Sequence, residues 1–183
     1  MPRFYLVRHG QAESGWGQDH DPALSETGRE QAEAVARELD GRLSGVGVVT
    51  SPKRRARETA GPLARRWGVE AMINRGVSEV PAPTDDLEER GVWLRRVMRE
   101  NWSVQDPRLQ AWRANVVRTL TELPGDAVIF THFIPINVAV GVATGDDRLV
   151  SFRPDYCSVT VLDMVVEELR LVERGREAET TVR

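Results

Sequence analysis

Two of the chain's three histidines follow short apolar segments that have the composition of buried strands. His9 lies in an Arg-His-Gly sequence directly after the apolar run at residues 4–7, and His132 follows the run at residues 127–131. Side chains at the ends of sheet strands project into open space, where α/β proteins bind ligands. A neutral imidazole can attack phosphorus and then be regenerated by water. The placement of these histidines therefore predicts phosphate chemistry carried by histidine.

Arginine side chains near these histidines could stabilise a transferring phosphoryl group. The charge of that group lies on its equatorial oxygens, and the planar fork of arginine suits them better than lysine does. Arg8 adjoins His9, and Arg55 lies in the first turns of a predicted helix, where free N–H groups already favour anions. No cluster of acidic and histidine residues resembles a metal site, so neither a metal nor a cofactor is expected.

Each of these residues also has a purely structural interpretation. Arg55 lies among other basic residues and could belong to a solvated helix surface, and His132 could be an ordinary core histidine. A site is favoured because the candidates occur in the order strand end, helix start, strand end, at the sheet edge where α/β folds bind ligands. His20 lies in a polar loop, and no catalytic role is predicted for it.

The composition favours one compact cytoplasmic domain over residues 1–183. Its 40% hydrophobic content can bury an ordinary core, and a net charge of −3 argues against a nucleic-acid partner. No apolar stretch is long enough to span a membrane, and the N-terminus leads directly into a strand instead of a signal peptide. The single cysteine, Cys157, fits a reducing compartment and is interpreted as a small buried hydrophobe, not as a catalytic thiol.

Apolar strands alternate with amphipathic helices along most of the chain. This order predicts a three-layer α/β/α sandwich with a mostly parallel sheet and an antiparallel C-terminal edge, where a hairpin turns at Glu167. A frayed polar tail is expected from residue 175 onward. The predicted strands cover residues 3–8, 46–50, 69–73, 126–131, 158–166 and 168–173.

Capping patterns predict where the first two helices begin and end. Thr27 with Glu30 forms a capping box that opens the first helix, which Gly41 closes. Ser51, followed by proline, is predicted to cap the second helix, and Gly68 to end it. A further short helix is expected over residues 135–143.

Residues 75–124 interrupt the alternation with two amphipathic helices, about residues 86–99 and 107–122. The segment is too short for a core of its own, so we expect a helical insert that covers the site. The polar loop at residues 11–22 is expected at the same place. Four tryptophans could line this lid, although tryptophan at helical spacing is more often part of a core: Trp16, Trp93, Trp102 and Trp112.

Five segments carry patterns that occur together in one known family. They are residues 6–12 (LVRHGQA), 24–32 (LSETGREQA), 51–60 (SPKRRARETA), 131–132 (TH) and 158–163 (SVTVLD). In these segments and in their order the chain resembles the histidine phosphatase superfamily, which includes the cofactor-dependent phosphoglycerate mutases. The resemblance covers nearly the whole chain outside the insert. When residues 51–60 are aligned with the family's second arginine motif, the motif's arginine falls on Arg55 and not on Arg54 or Arg57.

The resemblance implies a role for each of the residues singled out above. His9 becomes the phosphohistidine, while Arg8, Arg55 and His132 hold the phosphoryl oxygens. Many relatives have glycine after the second histidine, where this chain has Phe133. The backbone N–H groups of Phe133 and of the isoleucine after it are expected to remain available to phosphate, within a bulkier rim.

Phosphatases and mutases of this family usually add an acid, soon after the third strand, that protonates the leaving oxygen. Glu79 stands at the matching place, and burial near anions could raise its pKa toward neutrality. It could also be a solvated loop carboxylate, because carboxylates are mostly exposed. Other acids are near enough in sequence to compete for the role: Asp85, Asp86, Glu88 and Glu89.

The resemblance implies a metal-independent phosphatase that hydrolyses a small phosphorylated metabolite through a phosphohistidine intermediate. The alternatives are a phosphoglycerate mutase-like phosphotransferase, a protein phosphohistidine phosphatase and a non-catalytic phosphate-binding protein. The modest size of the insert favours a hydrolase over a mutase. The presence of all four phosphate-binding residues argues against a non-catalytic protein: Arg8, His9, Arg55 and His132. The expected partner is the small substrate alone, with no membrane or nucleic acid. The substrate's identity and the oligomeric state stay open.

Overall fold

A computed structural model describes residues 1–179, which form one six-stranded sheet with helices on both faces. The strand order is β3-β2-β4-β1-β5-β6. Strands β1 to β4 are parallel, whereas β5 and β6 run antiparallel at one edge, as the sequence predicts. The strands are β1 (Arg3–Arg8), β2 (Gly47–Thr50), β3 (Met72–Ile73), β4 (Ala127–Thr131), β5 (Val159–Val165) and β6 (Glu168–Glu173).

The helices complete the predicted three layers. They are α1 (Glu26–Arg42), α2 (Arg54–Trp67), α3 (Leu87–Val97), α4 (Pro107–Thr121) and α5 (Phe133–Thr144). Successive strand residues face opposite sides of a sheet, and each side has its own core. Leu39 of α1 and Leu63 of α2 pack with Val128 on one face, while Leu120 of α4 and Ile136 of α5 pack on the other. Within the described residues, every helix is too short or too polar to cross a bilayer.

The first two helices begin at other residues than the capping patterns predict. Ser25, not Thr27, caps α1, because its hydroxyl accepts the N–H of Gly28 at 3.0 Å. The helix also continues through Gly41 to Arg42. In α2 the N-cap position belongs to Lys53, whereas Gly68 ends the helix in the left-handed conformation as predicted.

The two helices of the expected insert lie in different places. Helix α3 borders the cavity described below. Helix α4 instead packs against α5 through a core that includes Val116 and Val138, and its Leu120 packs with strand residues of the sheet. Only α3 is therefore in a position to cover a site, and α4 belongs to the helical layer of the fold.

The C-terminal segment is attached to the body of the protein, and the expectation of a tail frayed from residue 175 is wrong for the part described. The Asp155 N–H donates to the carbonyl of Arg176, and the Ala178 N–H donates to that of Arg153, both at 2.8 Å. Residues 180–183 of the expected tail lie outside the described residues. The preceding hairpin does turn at Glu167, whose φ is 65°.

Candidate active site

The predicted site residues converge where β1, β4 and α2 meet. His9 directly follows β1 and His132 directly follows β4, with ring centroids 5.2 Å apart. Arg55 lies in the first turn of α2, and its Nε–H donates to His9 Nε2 at 3.2 Å. All three side chains are buried, with exposed fractions of 7%, 0% and 6% respectively. Adjacent parallel strands and the helix after β2 bring together residues that lie far apart in sequence.

The hydrogen bonds of His9 define which ring nitrogen carries the proton. Nδ1 lies 2.7 Å from the carbonyl oxygen of Gly10, and a carbonyl can only accept, so Nδ1 is protonated. The lone pair is therefore on Nε2, the atom that accepts from Arg55. Burial, and then the positive charges of Arg55 and Arg8, lower the pKa of His9 well below its usual value. The ring is a neutral imidazole with its nucleophilic nitrogen directed to a guanidinium.

The turn that carries His9 is held from two sides. The Gly10 N–H donates to Thr59 Oγ1 at 3.0 Å, and that hydroxyl donates to the carbonyl of Arg55 at 2.6 Å. On the other side, a Cβ at Gly28 would lie 2.0 Å from the carbonyl oxygen of Gln11. Only glycine lets the first turn of α1 approach so closely. The two helices thus fix the position of the turn that carries His9.

Arg8 is held against aromatic rings. Its Nη1 donates to the carbonyl of Pro154 at 2.9 Å, and its Cζ lies 4.1 Å from the ring centroid of Tyr156 and 5.2 Å from that of Phe133. Its Nε is buried and has no hydrogen-bond partner among the described residues. Burial lowers the pKa of Arg8, although a guanidinium stays charged near neutral pH. This leaves a rigid cation with an unused donor beside His9.

Two residues of this site escape the sequence analysis. Tyr156 stacks on Arg8 and lies 6.1 Å from the His9 ring, centroid to centroid. Ser51, which the sequence predicts as a helix cap, lies with its Oγ 2.8 Å from His132 Nε2. The only signal for either was its position in or beside a family segment, since Ser51 opens residues 51–60 and Tyr156 precedes residues 158–163.

His132 is a fully buried member of the cluster. Burial, and then the charge of Arg55, lower its pKa well below the usual value, so its ring is neutral. Its Nδ1 has no hydrogen-bond partner among residues 1–179. Buried polar atoms are normally paired, so an unpaired ring nitrogen beside His9 fits a site that is completed by a ligand.

Glu79 lies beside the guanidinium groups of the cluster. Its Oε1 accepts the N–H groups of Val80 at 2.9 Å and of Ile134 at 3.3 Å. The expectation that the Ile134 N–H remains free for phosphate is therefore wrong, since the carboxylate occupies it. Burial raises the pKa of Glu79, against the opposing effects of these hydrogen bonds, Arg55 and Arg8. A carboxyl group with a raised pKa can donate a proton closer to neutral pH.

The competing acids are less well placed. Asp86 caps α3 by accepting the N–H of Glu89, and the carboxylate of Glu89 accepts the hydroxyl of Thr84. Asp85 is exposed. Glu88 does line the cavity, but its side chain is exposed, whereas burial raises the pKa of Glu79 next to Arg55 and Arg8.

The cluster opens into a cavity of about 890 Å³. The polar loop at residues 11–22 and α3 form its outer wall, where the loop was predicted. Of the four tryptophans, Trp16 lines the cavity, whereas Trp102 is fully buried and its ring centroid lies 6.2 Å from that of Trp112. The expectation that the tryptophans line a lid is therefore wrong for Trp102 and Trp112, which pack in the core.

A sequence model of the histidine phosphatase superfamily, branch 1, matches residues 4–176. The chain belongs to this family. It is 28% identical over 177 residues to the 5''-phosphoribostamycin phosphatase of Niallia circulans, an alignment that covers 82% of this chain and 83% of that protein. The family resemblance drawn from the sequence patterns is thereby confirmed.

Solved structures show the same fold. A phosphoserine phosphatase from Entamoeba histolytica, crystallised with phosphoserine, superposes with a TM-score of 0.73 at 20% identity, covering 94% of this chain and 96% of that one. A mycobacterial glucosyl-3-phosphoglycerate phosphatase superposes with a TM-score of 0.68 at 23% identity, covering 99% and 100%. These likenesses extend over the whole architecture, insert included.

The three arginines in the first turns of α2 differ in their exposure to solvent. Arg55 is buried in the cluster, whereas Arg54 and Arg57 are exposed. Arg54 forms an ion pair with Glu58 at 2.8 Å. The structure thus places Arg55 against His9, and not Arg54 or Arg57. This agrees with the alignment of residues 51–60 with the family motif.

Cys157 is buried, and burial raises the pKa of its thiol to about 12. A thiol with so high a pKa is a poor nucleophile, which agrees with its interpretation as a buried hydrophobe. Across residues 1–179, no grouping of three or more histidine, cysteine, aspartate or glutamate side chains could hold a metal ion.

Proposed function

We propose that this histidine phosphatase family member hydrolyses a small phosphorylated metabolite through a phosphohistidine at His9, without a metal ion. The observation that carries the proposal is the bond from His9 Nδ1 to the carbonyl of Gly10, which leaves Nε2 unprotonated within a cluster of guanidinium groups. The phosphatase names of its relatives support the same reaction class.

In the first step His9 Nε2 attacks phosphorus, and the bond from phosphorus to the leaving oxygen breaks. Arg55 turns its N–H from Nε2 to a phosphoryl oxygen, and Arg8 and His132 bind the remaining oxygens with the backbone N–H of Phe133. Charge develops on these oxygens in the transition state, where fixed donors are most effective. Glu79 gives its proton to the leaving oxygen.

In the second step water attacks phosphorus, and the bond between phosphorus and His9 Nε2 breaks. The carboxylate of Glu79 takes a proton from the water, so that the acid is restored as phosphate leaves. The low pKa of His9 returns the ring as a neutral imidazole, ready for another turnover.

A panel of phosphorylated metabolites, assayed for phosphate release with EDTA present, tests this proposal. We expect release from some members of the panel at a rate that EDTA does not change. A requirement for added metal would contradict the metal-independent mechanism. Transfer to a second acceptor in place of water would show a mutase, and binding without turnover of any compound would show a non-catalytic protein.

Replacing Glu79 with glutamine tests the proton donor. Alkyl phosphates have poor leaving groups that need a proton, so we expect their kcat/KM to fall about 10²- to 10⁴-fold in Glu79→Gln. p-Nitrophenyl phosphate needs little proton assistance, so its kcat/KM should stay within a few-fold of the wild-type value, because kcat/KM reports the steps up to release of p-nitrophenol and not the later attack by water. Steady-state kinetics on both substrates measure the difference.

The pH profile provides an independent readout for Glu79. Its raised pKa keeps the carboxyl protonated to a higher pH than usual, and activity on alkyl phosphates should fall as it ionises. Glutamine cannot ionise, so this basic limb should vanish in the variant. If Glu79→Gln lowers kcat/KM equally for both substrates, or for neither, the donor is another acid, beginning with Glu88, which also lines the cavity.

A further inference from the structure

Two arginines that line the cavity, Arg90 and Arg95, have no role in the steps proposed above, and of these Arg95 is exposed whereas Arg90 is partly buried. Arg90 projects from α3 into the cavity wall, where its Nη1 donates to His20 Nδ1 and its Cζ lies 5.4 Å from the ring centroid of Trp16. Its Nε is buried and has no hydrogen-bond partner among the described residues. Within that part of the chain no carboxylate lies within 4.0 Å of the guanidinium. Arg90 is therefore a partly buried charge without a counter-ion.

The backbone around Arg90 holds it in this place. Gly17 has a φ of 101°, and a Cβ there would lie 3.0 Å from the carbonyl oxygen of Leu87. A Cβ at Gly91 would lie 3.8 Å from the Cα of Gly17, so the loop and α3 meet next to Arg90. The cation lies between two closely packed segments with its partners Trp16 and His20, instead of extending freely into solvent.

The electrostatics of the cavity favour an anion near Arg90. Arg8, Arg55 and Arg90 line the same cavity, as does the exposed Arg95, and the pKa of Arg55 is lowered by burial and then by the charges of Arg8 and Arg90. Grouping like charges is unfavourable unless an anion compensates them. A phosphoryl group bound at His9 accounts for Arg8 and Arg55 but leaves Arg90 uncompensated. Acidic residues also line the rim, although none pairs with Arg90 within the described chain: Glu13, Asp19 and Glu88.

We propose that Arg90 binds a second anionic group, a carboxylate or a further phosphate, on the leaving group of the substrate. This inference rests on the proposed phosphatase function and narrows its substrate class to phosphomonoesters whose alcohol portion is itself acidic. The Nη–H groups of Arg90 that His20 does not use supply a planar fork for such a group. Trp16 supports the guanidinium from its face.

Binding to the variant Arg90→Met tests the proposal, since methionine keeps an unbranched apolar chain against Trp16 but has no charge. Dissociation constants are measured by calorimetry in a His9→Ala background, which prevents turnover. The probes are glycerol 3-phosphate, 3-phosphoglycerate and glycerol 1,3-bisphosphate, which carry no second anion, a carboxylate and a phosphate respectively. We expect Arg90→Met to weaken 3-phosphoglycerate or the bisphosphate about tenfold or more, and glycerol 3-phosphate less than about threefold.

The matched control is Arg96→Met, which removes the same charge from an exposed position of α3 where Arg96 pairs with Glu100. It should leave all three dissociation constants within about twofold of the parent, because screening makes an exposed charge weak. Arg90→Lys should recover part of the lost affinity, since it restores charge without the fork. Thermal unfolding of each variant checks that the fold is intact.

The outcomes separate this inference from the proposed function. Equal loss of affinity for all three probes in Arg90→Met, or equal effects of Arg90→Met and Arg96→Met, would overturn the role of Arg90. Tighter binding of the anionic probes to Arg90→Met would overturn the role of Arg90 as well. It would show that the acidic residues at the rim of the cavity favour cationic substrates. The proposed function fails on another measurement, when the chain with His9 intact releases no phosphate from p-nitrophenyl phosphate or from any probe.

Discussion

Replacing His9 with alanine is expected to lower kcat on the order of 10⁴-fold or more, because the nucleophile itself is removed. The neutral imidazole presents an unprotonated Nε2 to Arg55, and no other side chain of the cluster has a comparable atom in that position. His132 Nε2 lies against Ser51 Oγ, and the high pKa of Cys157 makes its thiol a poor substitute. Hydrolysis by direct attack of water would be all that remains.

The same prediction has a chemical readout. Brief incubation of the wild-type chain with a ³²P-labelled substrate, followed by quenching, should leave label that is labile to acid and stable to base. Peptide mapping should place this label on the peptide that contains His9, and His9→Ala should carry none. Phosphate that withstands acid, or full activity in His9→Ala, would eliminate the phosphohistidine mechanism. Intact binding of inorganic phosphate by His9→Ala would show that its pocket is preserved.

Arg55→Ala is expected to lower kcat/KM by about 10²- to 10³-fold, the usual effect of removing one fixed donor to the charge of a transition state. Arg55 is buried at the start of α2, where its Nε–H reaches the nucleophile. Loss of a buried charge-assisted donor is costly, whereas an exposed charge contributes little. Steady-state kinetics on an activated substrate isolate the effect, since no proton donor is then needed.

Arg57→Ala is the matched control for Arg55→Ala. Arg57 is exposed on the same helix, so its kcat/KM should stay within about twofold of the wild-type value. Arg54 is a less clean control, because it pairs with Glu58, whose other oxygen accepts the N–H of Leu24, just after the polar loop at residues 11–22. Similar losses at Arg55 and Arg57 would show that the cluster does not stabilise the transition state. Arg55→Lys should be intermediate, since it keeps the charge without the fork.

Local patterns were less reliable than the overall order of elements. Thr27 was predicted to cap α1, but in the folded chain the hydroxyl of Ser25 accepts the N–H of Gly28. Ser51 had a cap signature, and its hydroxyl does accept the N–H of Lys53 at 3.1 Å, but it also lies 2.8 Å from Nε2 of His132, a residue 81 positions away. Short-range patterns cannot anticipate a partner that only the folded chain supplies.

The environment of Glu79 also includes a contact that the sequence did not predict. Its position after the third strand followed from the family resemblance, and a raised pKa was expected from burial. The bond from the Ile134 N–H to its carboxylate was not expected, because that N–H had been assigned to phosphate. The folded structure uses one backbone donor to orient the acid and leaves the Phe133 N–H for the phosphoryl group in the proposed mechanism.

By itself the sequence determined the family, the α/β architecture and the residues that meet beside His9. The family followed from the resemblance of five segments to its patterns, and the architecture followed from the alternation of strand and helix patterns. The meeting of the site residues followed from their places at strand ends and a helix start, which share one edge of the sheet. Tertiary structure alone decided the tautomer of His9, the stacking of Tyr156 on Arg8 and the position of Arg90 without a counter-ion. These features depend on contacts between side chains from separate elements, and such contacts exist only once the chain has packed.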